Sequence, residues 1–365
     1  MFGNWQNLGP CAQTQGPSEN RDGVQGISGL TKEELAQEFL KIGEKSFRAI
    51  QVWDWLFKKV VNSFREMANI PKQLRGFLDS SFHFSTLEIK DILVSQDGTR
   101  KFLFQLKDGL LIESVVIPEK DHLTLCVSSQ VGCAMGCLFC LTGSQGFKRN
   151  LSTSEIIDQI LEVKRHIPRK PPLTNIVFMG MGEPLLNLKS LSKAIQIILD
   201  PEALGFSHRR VTVSTSGIIP GIKALAQGPS INLAVSLNAT NDELRSKLMP
   251  INKKYPLREL INTLREFPLP KGRRITFEYV VIHQVNDQPS HAHELVSLLK
   301  GIPSKVNLIP LNELPHSGLK EPSEGRVLQI QEILLNHHVT AIIRKSKGRD
   351  IMAACGQLAG SKTQC

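Results

Sequence analysis

No apolar run in this chain is long enough to span a bilayer, and the N-terminus lacks a charged-then-apolar signal pattern. A soluble protein kept inside the cell is the expectation. Cysteine is sparse and wrongly distributed for a disulfide scaffold: seven residues, an odd number, three of them within eight positions. That points to a reducing cytoplasm. Beyond the first 26 residues no short repeat or low-complexity stretch occurs. Acidic residues are in deficit, 34 against 44 Lys and Arg, for a net charge of +10. A polyanion fits such a balance, although a basic surface also serves solubility. With 365 residues and 41% apolar content the chain can bury a full core in one large domain or two.

What is present is concentrated at 133–140, CAMGCLFC, where Cys133, Cys137 and Cys140 follow a C-x-x-x-C-x-x-C spacing. Thiolates so placed can reach three irons of a 4Fe–4S cluster from one loop, and soft sulfur suits that chemistry. With no fourth cysteine in the run, one iron stays open to a small molecule. A closed structural zinc site would need a second ligand pair, for which only Cys126 and His122 lie nearby upstream.

Residues 1–26, rich in Gly, Gln, Asn and Ser, read as a disordered leader with Cys11 incidental. Thr31 and Glu34 form a capping-box pattern opening a helix with Leu35 and Phe39. A second helix carries Phe47, Ile50, Trp53, Phe57, Val60 and Val61 at helical spacing. Trp53 and Trp55 could stack on bases, but a tryptophan in such a stripe belongs first to a core. Lys45, Arg48, Lys58 and Lys59 read as a solvated face. From Phe84 to Pro118 the pattern turns β, punctuated at Asp97-Gly98 and Asp108-Gly109. Glu113 interrupts an apolar strand there, and on a two-sided sheet such a charge faces water. Beyond residue 122 strand-like runs alternate with helix-like ones, including a helix capped by Ser152 and Glu155. Repeated βα units give an α/β fold with a parallel sheet. The domains expected are 27–83 helical, 84–121 a β adaptor, and 122–360 the catalytic unit.

The cysteine run, with Phe139 just before its third thiol, resembles the signature of radical S-adenosylmethionine (SAM) enzymes. The flanking TLCVSSQVGC (124–133) and QGFKRNL (145–151) resemble the adenine methyltransferases that modify carbon 2 of adenosine in 23S rRNA and in tRNA. The likeness runs from about residue 28 to about residue 360. It implies a partial (β/α) barrel with the site at the C-terminal strand ends and a small RNA-binding-type helical domain before it. It further implies a 4Fe–4S cluster on Cys133, Cys137 and Cys140, two SAM per turnover, a monomer, and an electron donor such as flavodoxin. Gly182 and Glu183 match the SAM amino-group motif. Ser214, the triplet Ser236, Leu237 and Asn238, and Asn312 match other SAM contacts. Asn238 stands where the family has histidine; a donor and an acceptor remain, but the imidazole is lost.

By the same resemblance Cys355 is first methylated by one SAM, and a radical made from a second SAM then takes hydrogen from that methyl group. An aromatic C–H carbon is too weak a nucleophile to attack SAM directly, which is why a radical route is needed. The carbon radical adds to adenine, and Cys126 resolves the protein–RNA adduct by forming a disulfide bond. Glu113 matches the family's proton acceptor. Two alternatives stand beside this reading: a relative that methylates carbon 8 of the ribosomal adenosine and confers antibiotic resistance, and a non-catalytic zinc-holding RNA-binding protein. Four basic runs, Arg209-Arg210, Lys253-Lys254, 271–274 and 343–349, are expected to form an RNA cradle around the barrel's loops. Catalysis there needs the target nucleotide unstacked and turned into the pocket.

Overall fold

The computed structural model describes residues 24–314 and 317–360. Residues 1–23 of the expected leader, with Cys11, and the terminal Cys365 lie outside the described residues. No helix among the described residues is long and apolar enough to cross a membrane.

The N-terminal part opens on β1 (Gln25–Gly26) and α1 (Lys32–Lys41). The capping box forms as the sequence suggests: Thr31 Oγ1 accepts from the Glu34 N–H at 3.2 Å, and the Thr31 N–H donates to Glu34 Oε2 at 2.8 Å. Helix α2 (Phe47–Trp53) runs on into a π-helical turn over Asp54–Lys59. Its buried stripe is Ala49, Val52, Trp53, Leu56 and Phe57, which keeps Trp53 and Phe57 of the expected stripe but replaces Phe47 and Ile50. Phe47 and Ile50 are therefore 44% and 50% exposed. Trp53 is core, edge-on to Phe57 at 5.0 Å, while Lys59 Nζ sits 3.5 Å over the Trp55 ring. Helix α3 (Lys72–Ser81) follows, starting just after Pro71 within the stretch expected to be helical, and leads into β2 (Phe82–His83), which pairs in parallel with β1.

Strands β3 (Leu87–Val94), β4 (Arg100–Leu106) and β5 (Leu111–Pro118) form an antiparallel meander. Its two Asp-Gly turns close as expected, Asp97 Oδ1 accepting from the Thr99 N–H and Asp108 Oδ1 from the Leu110 N–H. The meander is continuous with the main sheet, because β5 pairs antiparallel with β6 (Leu123–Cys126). A hairpin of β7 (Gln130–Gly132) and β8 (Phe147–Asn150) brackets the cysteine loop and the short α4 (Leu141–Ser144). Gly132 has φ +70, and a Cβ there would sit 1.9 Å from the Gly146 carbonyl oxygen, so only glycine closes this hairpin.

The βα repeat then runs α5 (Thr153–His166), β9 (Leu173–Phe178), α6 (Leu188–Leu199), β10 (Val211–Thr215), α7 (Ile219–Leu225), β11 (Asn232–Ser236) and α8 (Asp242–Leu248). It continues with α9 (Leu257–Arg265), β12 (Ile275–Val281), α10 (Pro289–Leu299), β13 (Ser304–Pro310), α11 (Glu324–Asn336) and β14 (Thr340–Ile343). Strands β6 and β9–β14 are all parallel, in chain order across a ten-stranded sheet that ends on the meander. This is an open (β/α) barrel. Helix α5 shows what drives the packing: Ile156, Ile157 and Ile160 are fully buried, each contributing about 1.5–3 kcal/mol. Its Ser152–Glu155 capping box is also formed.

Candidate active site

The C-terminal ends of the parallel strands and the cysteine loop enclose one cavity. Cys133, Cys137, Cys140, Glu183, Ser214, Ser236, Asn312 and Cys355 all line it, so residues spread over more than 200 positions converge. Burial pushes the three loop thiols up, Cys133 to about 12. Thiolates there need strong positive charge beside them. Among the described residues no three Cys, His, Asp or Glu side chains gather as ligands of one metal ion. Three thiols set around a cavity instead suit a multi-iron cluster, one thiol to each of three irons.

Glu183, 3% exposed, accepts at Oε2 from the Ser216 N–H and Oγ–H, both at 2.7 Å, and at Oε1 from the Leu185 N–H at 3.1 Å. Burial raises its carboxyl, opposed by those donors. Such a fixed carboxylate suits an ammonium ligand. Gly182 beside it has φ +97, and a Cβ would lie 2.4 Å from the Gln130 side chain. Asn312 donates through Nδ2 to the Cys355 carbonyl at 3.1 Å, and its buried Oδ1 has no protein partner among the described residues. An orphaned acceptor on a residue of the cavity lining fits a ligand that brings a donor, as SAM does.

Two charged residues passed unnoticed in the sequence. Glu278, on β12, lines the cavity and bridges two expected serines: Oε2 accepts from Ser214 Oγ at 2.7 Å and Ser236 Oγ at 3.1 Å. Arg245 is wholly buried and donates to the carbonyls of Ser216 (2.7 Å), Ser236 (3.1 Å) and Leu237 (3.1 Å), tying two strand ends together. Burial lowers its guanidinium to about 10. In the sequence Glu278 reads as an outward position of an alternating strand and Arg245 as one charge of a solvated helix.

Other expected site residues lie behind the wall. Leu237 is core, and Asn238, with φ +58, is fully buried and committed: Oδ1 accepts from the Val280 N–H, and Nδ2 faces Met249 Sδ. Cys126 is 7% exposed on β6, its thiol raised by burial and then by neighbouring Cys355. Cys355 is exposed where it opens onto the cavity, and desolvation by the surrounding protein pushes its thiol up to about 11. All five described cysteines are free. The disulfide bond expected between Cys126 and Cys355 is thus absent here, because the two thiols are not within bonding distance. Glu113 does not face water: it is fully buried, paired with Lys101 at 3.2 Å, and outside the lining of the cavity. The four basic runs do not form one cradle. Lys253-Lys254 and the segment after β14 lie toward the cavity face, whereas Arg209-Arg210 and 271–274 precede β10 and β12 at the opposite ends of the strands.

An open parallel barrel with three loop thiols and a buried glutamate at its strand ends defines a radical-SAM enzyme. The family model described as the Radical SAM superfamily matches residues 127–296, and that of the ribosomal RNA large subunit methyltransferase N-terminal domain matches 26–83. The dual-specificity RNA methyltransferase RlmN of Geobacter sulfurreducens is 50% identical over 334 residues, 92% of each chain. That of Anaeromyxobacter dehalogenans is 49% identical over 346 residues, 93% of this chain and 92% of its own. The crystal structure of a radical SAM methyltransferase from Sphaerobacter thermophilus superimposes with a TM-score of 0.89 at 42% identity, covering 92% of this chain and all of that one. The chain belongs to the dual-specificity RNA methyltransferase RlmN family.

Proposed function

We propose that the protein methylates carbon 2 of adenosine in 23S rRNA and in tRNA. The observation that carries this reading is the convergence of Cys133, Cys137, Cys140, Glu183 and Cys355 on one cavity, in a chain half identical to RlmN enzymes. A bound 4Fe–4S cluster and SAM supply one-electron chemistry and methyl groups. Everything else falls to the chain. Cys133, Cys137 and Cys140 would hold the cluster, beside the space that SAM would occupy. Glu183 receives the SAM ammonium group, close beside Gly182. Ser214 and Ser236, bridged by Glu278, form a polar wall for the nucleoside end. Leu237 and Asn238 buttress that wall from behind, and Asn312 offers Oδ1.

Cys355 carries the methyl group in transit. Its raised thiol must lose a proton before methylation, since the thiolate is the nucleophile. Cys126, the nearby thiol on β6, resolves the adduct once the loop brings it within bonding distance. Residues 27–83 form the RNA-facing helical domain, and the basic segments on the cavity face hold phosphates without reading sequence. A small acidic electron carrier of flavodoxin type, a monomeric state and a cytoplasmic location complete the reading.

The test is nucleoside mass spectrometry after the reduced, cluster-loaded protein acts on unmodified 23S rRNA fragment or on tRNA with SAM. 2-Methyladenosine in the digests supports the proposal and shows which RNA is used. 8-Methyladenosine would move the protein to the resistance relative. Neither product from an intact cluster would refute the substrate assignment.

A further inference from the structure

Cys355 lies in a segment with no regular structure beyond a single 3-10 turn at Arg349–Ile351. Hydrogen-atom abstraction from its methyl group and radical addition both require its sulfur to stay placed to within a fraction of an ångström. Something must hold it. On the cysteine-loop side, the Leu141 N–H donates to the Gly356 carbonyl at 2.7 Å, and Thr142 Oγ1 to the Leu358 carbonyl at 2.6 Å. The opposite side is held by the meander. Asp97 and Asp350 tie the start of the segment to the β3–β4 turn through Gly348 and Ser95. Deeper in, Lys101 Nζ donates to the Met352 carbonyl at 3.2 Å, and the Ala359 N–H donates to Glu113 Oε2 at 2.8 Å. These two bonds bracket Cys355, three residues before it and four after.

We propose that Lys101 and Glu113 are a buried clamp that positions the Cys355 loop, and that Glu113 acts through this loop rather than as the proton acceptor at adenine. The register favours this. Leu103 stands opposite Glu113 and Lys101 opposite Val115, so both side chains leave the same face of the β4–β5 pair toward the loop. Their side chains are 3% and 1% exposed and 3.2 Å apart. Two ions so deeply buried are tolerated only with further polar partners, and here each finds one in the loop backbone. The loop backbone thus occupies Glu113 Oε2, and Glu113 is outside the lining of the cavity. Glu113 Oε2 accepts from the Ala359 N–H, while Oε1 lies at ion-pair distance from Lys101 Nζ and accepts no hydrogen bond among the described residues. This inference rests on the methyltransferase reading, which the wild-type nucleoside assay tests separately.

The experiment compares wild type, Glu113→Gln, Lys101→Met and the double variant as cluster-loaded full chains. Three quantities are read: methylation of Cys355 by SAM without RNA, 2-methyladenosine formation, and backbone hydrogen exchange across 352–359. Methylation of Cys355 requires the loop in place but no proton removal from adenine. Each single variant leaves one buried ion unpaired, so Cys355 methylation should slow by on the order of 10- to 100-fold while exchange across the loop accelerates. The double variant is neutral, and its glutamine carbonyl still accepts the Ala359 N–H, so both activities should recover to within a few-fold of wild type. Visible absorbance of the cluster and thermal unfolding show whether each variant is folded. Should a single variant not fold, the double variant alone decides. A Glu113→Gln enzyme that methylates Cys355 normally but makes no 2-methyladenosine, with no rescue in the double variant, overturns the clamp and makes Glu113 the proton acceptor. Wild-type behaviour in both single variants overturns it as well.

Discussion

Asn312, in the cavity lining, and Cys355 are joined by one hydrogen bond, Nδ2 to the cysteine carbonyl at 3.1 Å, which leaves Asn312 Oδ1 buried and without a protein partner among the described residues. A buried acceptor of this kind costs about 1–3 kcal/mol until a ligand supplies a donor. Asn312→Ala should therefore weaken SAM binding by roughly 5- to 30-fold, about 1–2 kcal/mol. Anaerobic titration calorimetry on the cluster-loaded protein measures this. An unchanged affinity would mean that Oδ1 faces something other than SAM.

Stability should carry a pH signature at the junction of meander and barrel. Asp158, 1% exposed on α5, accepts from the Thr86 N–H and Oγ–H at 2.7 and 2.6 Å, and burial raises its carboxyl to about 6. A carboxyl raised in the folded state binds a proton more tightly there than in the unfolded chain. Its stabilising contribution is thus full below about pH 4 and lost as pH rises through about 6, a change of order 2–3 kcal/mol. Asp158→Asn keeps the acceptor and removes the titration. Relative to wild type, the variant should gain stability between about pH 4 and about pH 7, as read from urea midpoints. A difference independent of pH would remove Asp158 as the source.

The parts of this molecule legible in its sequence are those set by local chemistry. Capping boxes at Thr31 and Ser152, Asp-Gly turns, the βα alternation and the cysteine spacing each depend on neighbours a few residues away, and each forms as read. Tertiary destinations were hidden. Glu113 and Glu278 both sit in alternating strands where a charge ordinarily faces water, yet the C-terminal loop covers one and the cavity takes the other. The basic runs carry the same charge whichever end of a strand they precede, so their separation onto opposite faces has no local signal. In α2, the stripe Phe47–Ile50–Trp53 competes with Ala49–Val52–Trp53, and packing selects the second.

Arg245 should be among the costliest single losses in the barrel. Its guanidinium satisfies three carbonyls at the ends of β10 and β11 and also donates to Asn252 Oδ1 at 3.0 Å. Arg245→Met fills similar volume but leaves those carbonyls buried and unpaired. A loss of about 3 kcal/mol or more follows, several degrees in Tm, with Arg245→Lys intermediate. Ser216 and Ser236 would lose their fixed position, so iron retention during gel filtration should fall as well. Thermal scans with iron assays check both, and a Met variant as stable as wild type would contradict the role.

The two thiols Cys126, on β6, and Cys355, on the C-terminal loop, are separable by the point at which their loss arrests turnover. Cys355→Ala should keep the cluster, because Cys133, Cys137 and Cys140 are untouched, while methyl transfer to the protein and to RNA both vanish. Cys126 is buried behind Cys355 and outside the cavity lining, so Cys126→Ala should leave methylation of Cys355 intact. In the proposed mechanism it removes the second sulfur, which frees the RNA. A protein–RNA adduct stable to denaturation should then accumulate, at up to one RNA per enzyme, visible as a shifted band on a denaturing gel and as RNA-linked 349–360 peptide by mass spectrometry. Release of 2-methyladenosine at the wild-type rate from Cys126→Ala would show that another group resolves the adduct.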